Sequence, residues 1–313
     1  MAITISGNGI TSANIADGTI TTDDINASDV TNLKSGRKNL IINGGFDVWQ
    51  RGSGNTSSGD SWKYFSADRW ASYGGNVTHT QVDETVDGDL VHTLHASGAG
   101  TNQLVVTTVE SGSALISGKE VTLSFWLKAD SITEAMPLRM RWGTDLSGDS
   151  GDQTIATFNT TTSWTKYTYT FTNTDPTTAS YSRHCSLRWE ATKPFKLANV
   201  QLELGDTATD FEHRSYGEEL ALCQRYYFAD DTHIWLASNS PNSGRRRSTI
   251  YLPVPMRVDP TVSGTFTTYS GSAGGYGWDS GDWKSEYMLN PYWNTASADF
   301  DGYVESLTAD AEL

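Results

Sequence analysis

The sequence predicts an all-β chain: a short N-terminal stalk, a β-sandwich, one short helix and a second, C-terminal β domain. Three observations predict it. Aliphatic residues recur every five positions near the N-terminus. Apolar and polar residues then alternate with a period of two in segment after segment. No stretch of helical spacing intervenes until about residue 215. Eleven Trp and fourteen Tyr in a chain that is 37% hydrophobic suit β structure with aromatic-bearing loops.

The stalk covers residues 1–36. Ile10, Ile15, Ile20, Ile25 and Val30 stand five apart, separated by small or polar residues and by turn signals such as Asp17-Gly18. A period of five fits neither a helix nor a strand. Such a segment has one aliphatic anchor per unit and no second apolar face. It is either disordered or packs its anchors against other copies of itself. The β-rich text that follows makes self-association the expectation.

The charged hinge Lys34-Ser35-Gly36-Arg37-Lys38 leads into the first domain, residues 37–216. Val121, Leu123, Phe125 and Leu127 share one face of a strand. Leu138, Met140 and Trp142 alternate with Arg139 and Arg141, and Tyr167, Tyr169 and Phe171 with threonines. Cys185, Leu187 and Trp189 repeat the pattern, as do Val200, Leu202 and Leu204. These are half-buried strands of an antiparallel sandwich. Trp49, Trp70, Trp142, Trp164 and Trp189 are expected in or near the core. Trp126 has the opposite parity to its neighbours, which places it on the other face of its sheet, as a subunit contact or a sugar platform.

One helix is expected after Ser215-Tyr216-Gly217-Glu218, which has capping-box spacing. A second β domain, residues 217–313, follows. Ile250, Leu252, Val254 and Met256 alternate there, and Pro253 and Pro255 mark an edge strand.

The formal charge of −15 makes nucleic acid and anionic membranes poor partners. The basic run Arg245-Arg246-Arg247 sits in polar text and reads as a solvated loop. No segment reaches the ~20 apolar residues of a membrane span, so no membrane insertion is expected. The start Met1-Ala2-Ile3-Thr4-Ile5 lacks signal-peptide character, implying synthesis in a cytosol. Cys185 and Cys223 read as small buried hydrophobes rather than a disulfide framework.

Two long motifs carry a resemblance. The first runs from Arg37-Lys38-Asn39-Leu40-Ile41-Ile42-Asn43-Gly44-Gly45-Phe46-Asp47 to Gly52 and continues at Ser66-Ala67-Asp68-Arg69-Trp70. The second runs from Asn199-Val200-Gln201-Leu202 to Gly205, then from Asp210-Phe211-Glu212 to Tyr227. With the five-residue repeat, Tyr251–Arg257 and the closing Asp310-Ala311-Glu312-Leu313, they resemble tail-fibre proteins of bacteriophages, including those of marine and cyanobacterial hosts. The resemblance implies a homotrimeric virion component made in the bacterial cytoplasm: a stalk, a jelly-roll resembling carbohydrate-binding modules, and a distal β knob. Residues 1–36 would attach to a tail adaptor, nozzle or other virion protein, and the knob to a host surface polysaccharide. Related jelly-rolls often hold a structural calcium between an acid near this start and an aspartate before the last strand. Asp47 matches the first position, and Asn199 stands in place of the second, so the two are a candidate calcium pair. No other cofactor is expected.

The richest aromatic text lies near the C-terminus. Tyr276, Trp278, Trp283, Tyr287, Tyr292 and Trp293 stand among Gly, Ser and Asp, with Asp279 and Asp282 between them. Without alternation this reads as a loop whose rings meet sugar faces and whose carboxylates accept hydroxyl hydrogen bonds. The competing reading is that the rings pack the loop onto the knob or a neighbouring subunit. Catalysis has little support. Gly148-Asp149-Ser150-Gly151 lacks the context of a serine nucleophile, and His92 and His95 lack metal-ligand spacing. The chain therefore reads as a non-enzymatic tail fibre that attaches to host glycans. The alternatives are a capsid or tail decoration without receptor role and, third, a glycan depolymerase.

Overall fold

The computed structural model describes residues 38–57, 62–73, 76–98, 103–109, 116–143, 146, 151–174, 184–239, 244–270, 273–278, 285–295 and 299–312. The stalk anchors Ile10 to Val30 lie outside these, as do Ser150, Asp279, Asp282 and Trp283. Residues Asn39–Leu313 form one compact unit.

Two six-stranded antiparallel sheets build the sandwich. The first has the order β1 (Asn55–Thr56), β4 (Val77–Val86), β5 (Asp89–Gly98), β12 (Phe195–Leu204), β7 (Glu120–Ala129), β10 (Thr165–Thr172). The second has the order β2 (Lys63–Tyr64), β3 (Trp70–Tyr73), β6 (Gln103–Val109), β11 (His184–Ala191), β8 (Met136–Gly143), β9 (Gly151–Phe158). The chain passes repeatedly from sheet to sheet, so the expected period-two faces meet in one core. Leu123, Phe125 and Leu127 of β7 pack against Leu138 and Met140 of β8 and Leu187 and Trp189 of β11, all fully buried. Trp189 meets Phe125 edge-on at 5.5 Å and Trp70 at 5.7 Å. Such aromatic pairs contribute about 1 kcal/mol each beyond area burial. Both cysteines are buried and neither is in a disulfide, as their small apolar character suggested. Trp70, Trp142 and Trp189 are buried, and Trp49 and Trp164 are half-buried.

The two long sequence motifs lie against each other. Asn39 Nδ2 donates to Val200 O at 2.9 Å, Leu40 N to Leu202 O at 2.9 Å, and Val200 N to Gly44 O at 2.9 Å. A Cβ on Gly44 would lie 2.1 Å from Val200 O, so only glycine fits there. Asn43, at φ 58°, donates from Nδ2 to Val48 O and Asp68 O, and its Oδ1 accepts from Val48 N. Much of the polar text of these motifs is therefore internal scaffolding.

Helix α1 (Tyr216–Gln224) carries the expected capping box: Ser215 Oγ accepts from Glu218 N, and Glu218 Oε2 accepts from Ser215 N. The helix buries Leu222 and Cys223 against Ile42 and Val48 of the sandwich. The C-terminal β region follows. In its main sheet, β21 (Asp299–Asp310) pairs on one side with β13 (Tyr227–Asp230) and β14 (Ile234–Asn239), and elsewhere with β17 (Thr261–Ser270). A second sheet has the order β15 (Gly244–Arg247), β20 (Pro291–Thr295), β18 (Ala273–Trp278), and β16 (Ile250–Tyr251) pairs with β19 (Met288–Leu289). Met256, Leu289, Leu307, Ala309 and Ala311 form the core of this region.

Three expectations need correction here. Arg245-Arg246-Arg247 is a strand paired with β20, not a loop. Residues 273–278 are likewise a strand paired with β20. Strands this polar and glycine-rich are held by their partner's backbone ladder, which apolar periodicity does not register. Conversely, only Ile250–Tyr251 of the expected 250–256 strand pairs. Pro253 and Pro255 lack the N–H that a ladder needs, yet Leu252, Val254 and Met256 still turn inward relative to their neighbours.

A buried ionic knot joins sandwich, helix and C-terminus. Arg51 pairs with Asp68 at 3.1 Å and with Glu312 at 3.5 Å, and Arg69 pairs with Glu312. The Arg69 guanidinium lies 3.5 Å from the Tyr226 ring centroid and that of Arg51 3.5 Å from Tyr227's.

Two buried groups give the fold opposing pH dependences. Burial pushes the Asp68 carboxyl from 3.8 up to about 7, against the pull of Arg51 and Gln50 N–H. Burial drives the His79 imidazole from 6.5 down to about 3. The native chain keeps the Asp68 proton longer than the unfolded one. That contribution is full below pH 3.8 and is lost as pH rises through about 7. His79 acts in reverse: its contribution is full above pH 6.5 and is lost as pH falls toward about 3. Relative to wild type, Asp68→Asn should therefore make stability rise more steeply with pH over this range, and His79→Gln should make it fall. Urea midpoints across the range check this; slopes unchanged in both variants would contradict it.

Candidate functional site

The face of the first sheet turned away from the core carries the most organised set of functional side chains. Strand register places Thr80, His95, Lys196 and Lys128 in one row across β4, β5, β12 and β7. Trp164 directly precedes β10, whose Thr165 pairs with Leu127. Trp126 lies two residues from Lys128 on the same face, about 7 Å along the strand, and is flanked by Ala198 and Lys166.

The β4–β5 hairpin reaches over this face. Its own ladder runs through ten pairs to Val86–Asp89, but β5 pairs with β12 only from Ala96 to Leu94. Asp87 and Gly88, at φ 54° and 96°, form the turn at its tip. Past the point where it leaves β12, the hairpin presents Glu84. That carboxylate accepts hydrogen bonds from Lys128 Nζ at 2.9 Å, from Lys196 Nζ and from Trp164 Nε1 at 3.0 Å. Burial alone would raise its pKa, but these donors outweigh it and hold the carboxyl at about 2. Lys128 Nζ also lies 5.9 Å from the Trp164 ring. His95 Nε2 contacts Asp130 at 3.1 Å at the edge of the row.

The other half of the same face is closed. Thr122 bonds Thr170 at 2.9 Å and Gly205 O at 2.8 Å, Glu203 accepts from Thr209, and Gln201 Nε2 donates to Asp210 O. Residues 205–210 therefore cover β12 and β7 there. What stays accessible is a strip with two half-buried indoles and a fixed carboxylate flanked by two ammonium groups. Chemically, it offers flat apolar area beside rigid donors and acceptors.

The C-terminal aromatics are placed differently from one another. Tyr276 is 56% exposed and stacks on Phe266, with centroids 4.8 Å apart and rings 17° from parallel. Trp278 turns inward against Phe266 at 5.3 Å and against Val304. It lies so close to β17 that a Cβ on Gly264 would come within 3.1 Å of its ring. The Tyr292 ring lies over Gly277, whose Cβ would meet it at 3.1–3.3 Å. Tyr287 is 55% exposed beside β19. Trp293 is the strand partner of Tyr276. Asp279, Asp282 and Trp283 lie outside the described residues.

Asp47 and Asn199, the candidate calcium pair, stand in different surroundings. Asp47 Oδ1 is 4.0 Å from His92 Nε2, and Asp83 contacts His92 Nδ1 at 2.6 Å. Burial raises the Asp47 pKa, opposed by His92 and then His213. Asn199 occupies the left-handed position of the β12 bulge at φ 48°. Among the described residues no group of three or more His, Cys, Asp or Glu converges as a metal site, and no helix is long and apolar enough to cross a membrane.

Residues 38–183 match the family model of a carbohydrate binding domain. No curated protein matches the chain. Among solved structures, the chain is similar to the CBM22-1–GH10 modules of the Clostridium thermocellum endo-1,4-beta-D-xylanase 10B complexed with xylohexaose. Identity there is 14% and the TM-score 0.39, over 55% of this chain and 30% of that one. It is also similar to the CBM22-1 xylan-binding domain from Paenibacillus barcinonensis Xyn10C (16%, TM-score 0.32, 50% of this chain and 98% of that one). A third likeness is to the enzymatically active domain of bacteriophage CBA120 tailspike protein 4 (16%, TM-score 0.32, 53% and 21%). The first domain is thus a β-sandwich like those of carbohydrate-binding modules, joined to a C-terminal β region.

Proposed function

We propose that this chain is a non-enzymatic, glycan-binding subunit of a bacteriophage tail fibre. The observation that carries the reading is the strip formed by Trp126, Trp164 and the Lys128–Glu84–Lys196 cluster, within a domain that matches a carbohydrate binding model. Sugar rings stack their apolar faces on indoles while their hydroxyls bond fixed polar groups. Glu84 is not poised as a general acid, and its ionised carboxylate is a fixed acceptor for sugar hydroxyls. A general acid near neutral pH needs a raised pKa, and this carboxyl is held at about 2.

The fibre assignment is supported by the two long motifs and by the five-residue repeat of the first 36 residues. Three chains in cyclic symmetry would bury Ile10, Ile15, Ile20, Ile25 and Val30 and attach the fibre to the virion tail. Weak sugar contacts would then add through multivalency. Native electrophoresis of the full chain through gels containing soluble surface polysaccharide tests the binding. Retardation without release of reducing ends is expected; release of reducing ends would instead make the protein a depolymerase. Light scattering should give three times the chain mass, and antibody labelling of virions should mark the tail rather than the capsid.

A further inference from the structure

The outer face of the C-terminal sheet repeats the chemistry of the sandwich strip at a separate place. Register aligns Trp235 of β14, Tyr303 of β21 and Thr267 of β17 in one row. The row beside it, Ile234, Val304 and Phe266, points the other way and packs with Trp278. Trp235 is 58% exposed. Its ring meets Tyr303 at 5.1 Å with the planes 55° apart, and His233 meets the same tyrosine edge-on at 4.5 Å. Glu305 stands next along this face. Its Oε2 lies 3.0 Å from His233 Nε2, and its Oε1 accepts from Thr267 Oγ1 at 3.4 Å. The result is an exposed indole on a phenol, beside a carboxylate whose orientation two neighbours fix.

We propose that this face is a second carbohydrate site, selective for a neutral pyranose; the inference rests on the glycan-binding reading above. Its surroundings favour a polar ligand over a protein surface. The outward positions of β17 and β21 around it are Ser263, Thr265, Thr267 and Thr308, and no Leu, Ile, Val or Met shares their parity to extend an apolar interface. Charge sets the class of sugar. Glu84 in the sandwich strip is flanked by two lysines, whereas Glu305 meets a histidine and a threonine hydroxyl among the described residues. A uronate or phosphate-bearing sugar would meet this carboxylate at close range and be repelled. A neutral ring keeps the stacking and gives its hydroxyls an acceptor.

The full chain is tested by affinity electrophoresis against three neutral polymers, β-glucan, xylan and galactomannan, with polygalacturonate as the acidic comparison. Trp126→Ala/Trp164→Ala should leave residual retardation by a neutral polymer, and adding Trp235→Ala should remove most of it. Trp235→Ala alone should weaken retardation about tenfold, as loss of a central aromatic contact does, and Trp235→Phe should restore most of it. Glu305→Gln should relax the exclusion of polygalacturonate at this site. Because Trp235 is exposed, these variants should keep the wild-type thermal midpoint. If Trp126→Ala alone abolishes all binding, the second site is refuted and the first stands. If Trp235→Ala abolishes binding and Trp126→Ala does nothing, the second site stands and the sandwich strip falls. A change in chain stoichiometry on Trp235→Ala, with sugar binding intact, would make the face a contact between copies and overturn the proposal.

Discussion

Trp126→Ala is expected to weaken polysaccharide binding by about tenfold or more at the sandwich strip, and Trp126→Ala/Trp164→Ala to abolish binding there. Loss of a central aromatic contact commonly costs ~2 kcal/mol or more of binding energy, and each 1.4 kcal/mol is tenfold. Trp126 stands out of the core face, flanked by Ala198 and Lys166, so its removal leaves the Phe125–Trp189 packing untouched. Trp164 has a second role, because its Nε1 donates to Glu84 at 3.0 Å. The double variant therefore also loosens the β4–β5 hairpin. Glu84→Gln separates the two effects. It keeps both indoles but leaves Lys128 and Lys196 without their shared carboxylate, so an intermediate loss of affinity is expected. Titration calorimetry on the retained polysaccharide reads the affinities, and the thermal midpoint of Trp126→Ala should match wild type. Full affinity in Trp126→Ala would remove the strip as the binding site.

Glu312→Gln should destabilise the folded chain by about 3–5 kcal/mol, the cost of leaving a buried charge without its partner. Arg69 is 2% exposed and pairs with Glu312, which is itself 5% exposed. Arg69 Nη2 also donates to Thr108 Oγ1. Arg51 shares the same carboxylate at 3.5 Å and holds Asp68 at 3.1 Å. Loss of one negative charge therefore leaves two buried guanidiniums with one remaining buried acid, Asp68. The adjacent backbone is bound as tightly: Ala311 N donates to Tyr226 O at 2.7 Å, and Arg257 donates to Ala311 O at 3.2 and 3.3 Å. Chemical denaturation measures the loss. A change below about 1 kcal/mol would mean that solvent or Asp68 compensates the two guanidiniums, and that the C-terminal segment is not a clamp.

Sequence patterning was most informative where one face of a strand meets the core and the other meets something more polar. Leu123, Phe125 and Leu127, and Leu187 and Trp189, were legible because burial on one side imposes a period of two. The capping box at Ser215 was legible because its two hydrogen bonds are local in sequence. The parity of Trp126 already placed it on the outer face. The β4–β5 hairpin passed unread, although Asp87-Gly88 is a strong hairpin signal. Its strands Thr78–Glu84 and Val91–Ser97 mix polar and apolar residues on both faces, since one face covers the sandwich end and the other reaches over the strip. Gly244–Arg247 and Ala273–Trp278 passed unread for the different reason that β20 between them supplies the ladder.

The amino-acid order by itself determined the all-β class, the positions of the main sandwich strands, the capped helix and the side of the sheet on which Trp126 stands. All of these depend on neighbours within a few residues. Only the tertiary structure decided that Glu84 meets Lys128, Lys196 and Trp164, that Trp235 joins Tyr303 and Glu305, and that Trp278 belongs to packing while Tyr276 faces solvent. Those contacts join residues 44 to 112 positions apart around Glu84 and 72 apart at His233–Glu305. Strand register, set by backbone ladders between distant segments, brings them together, and no local pattern encodes that register.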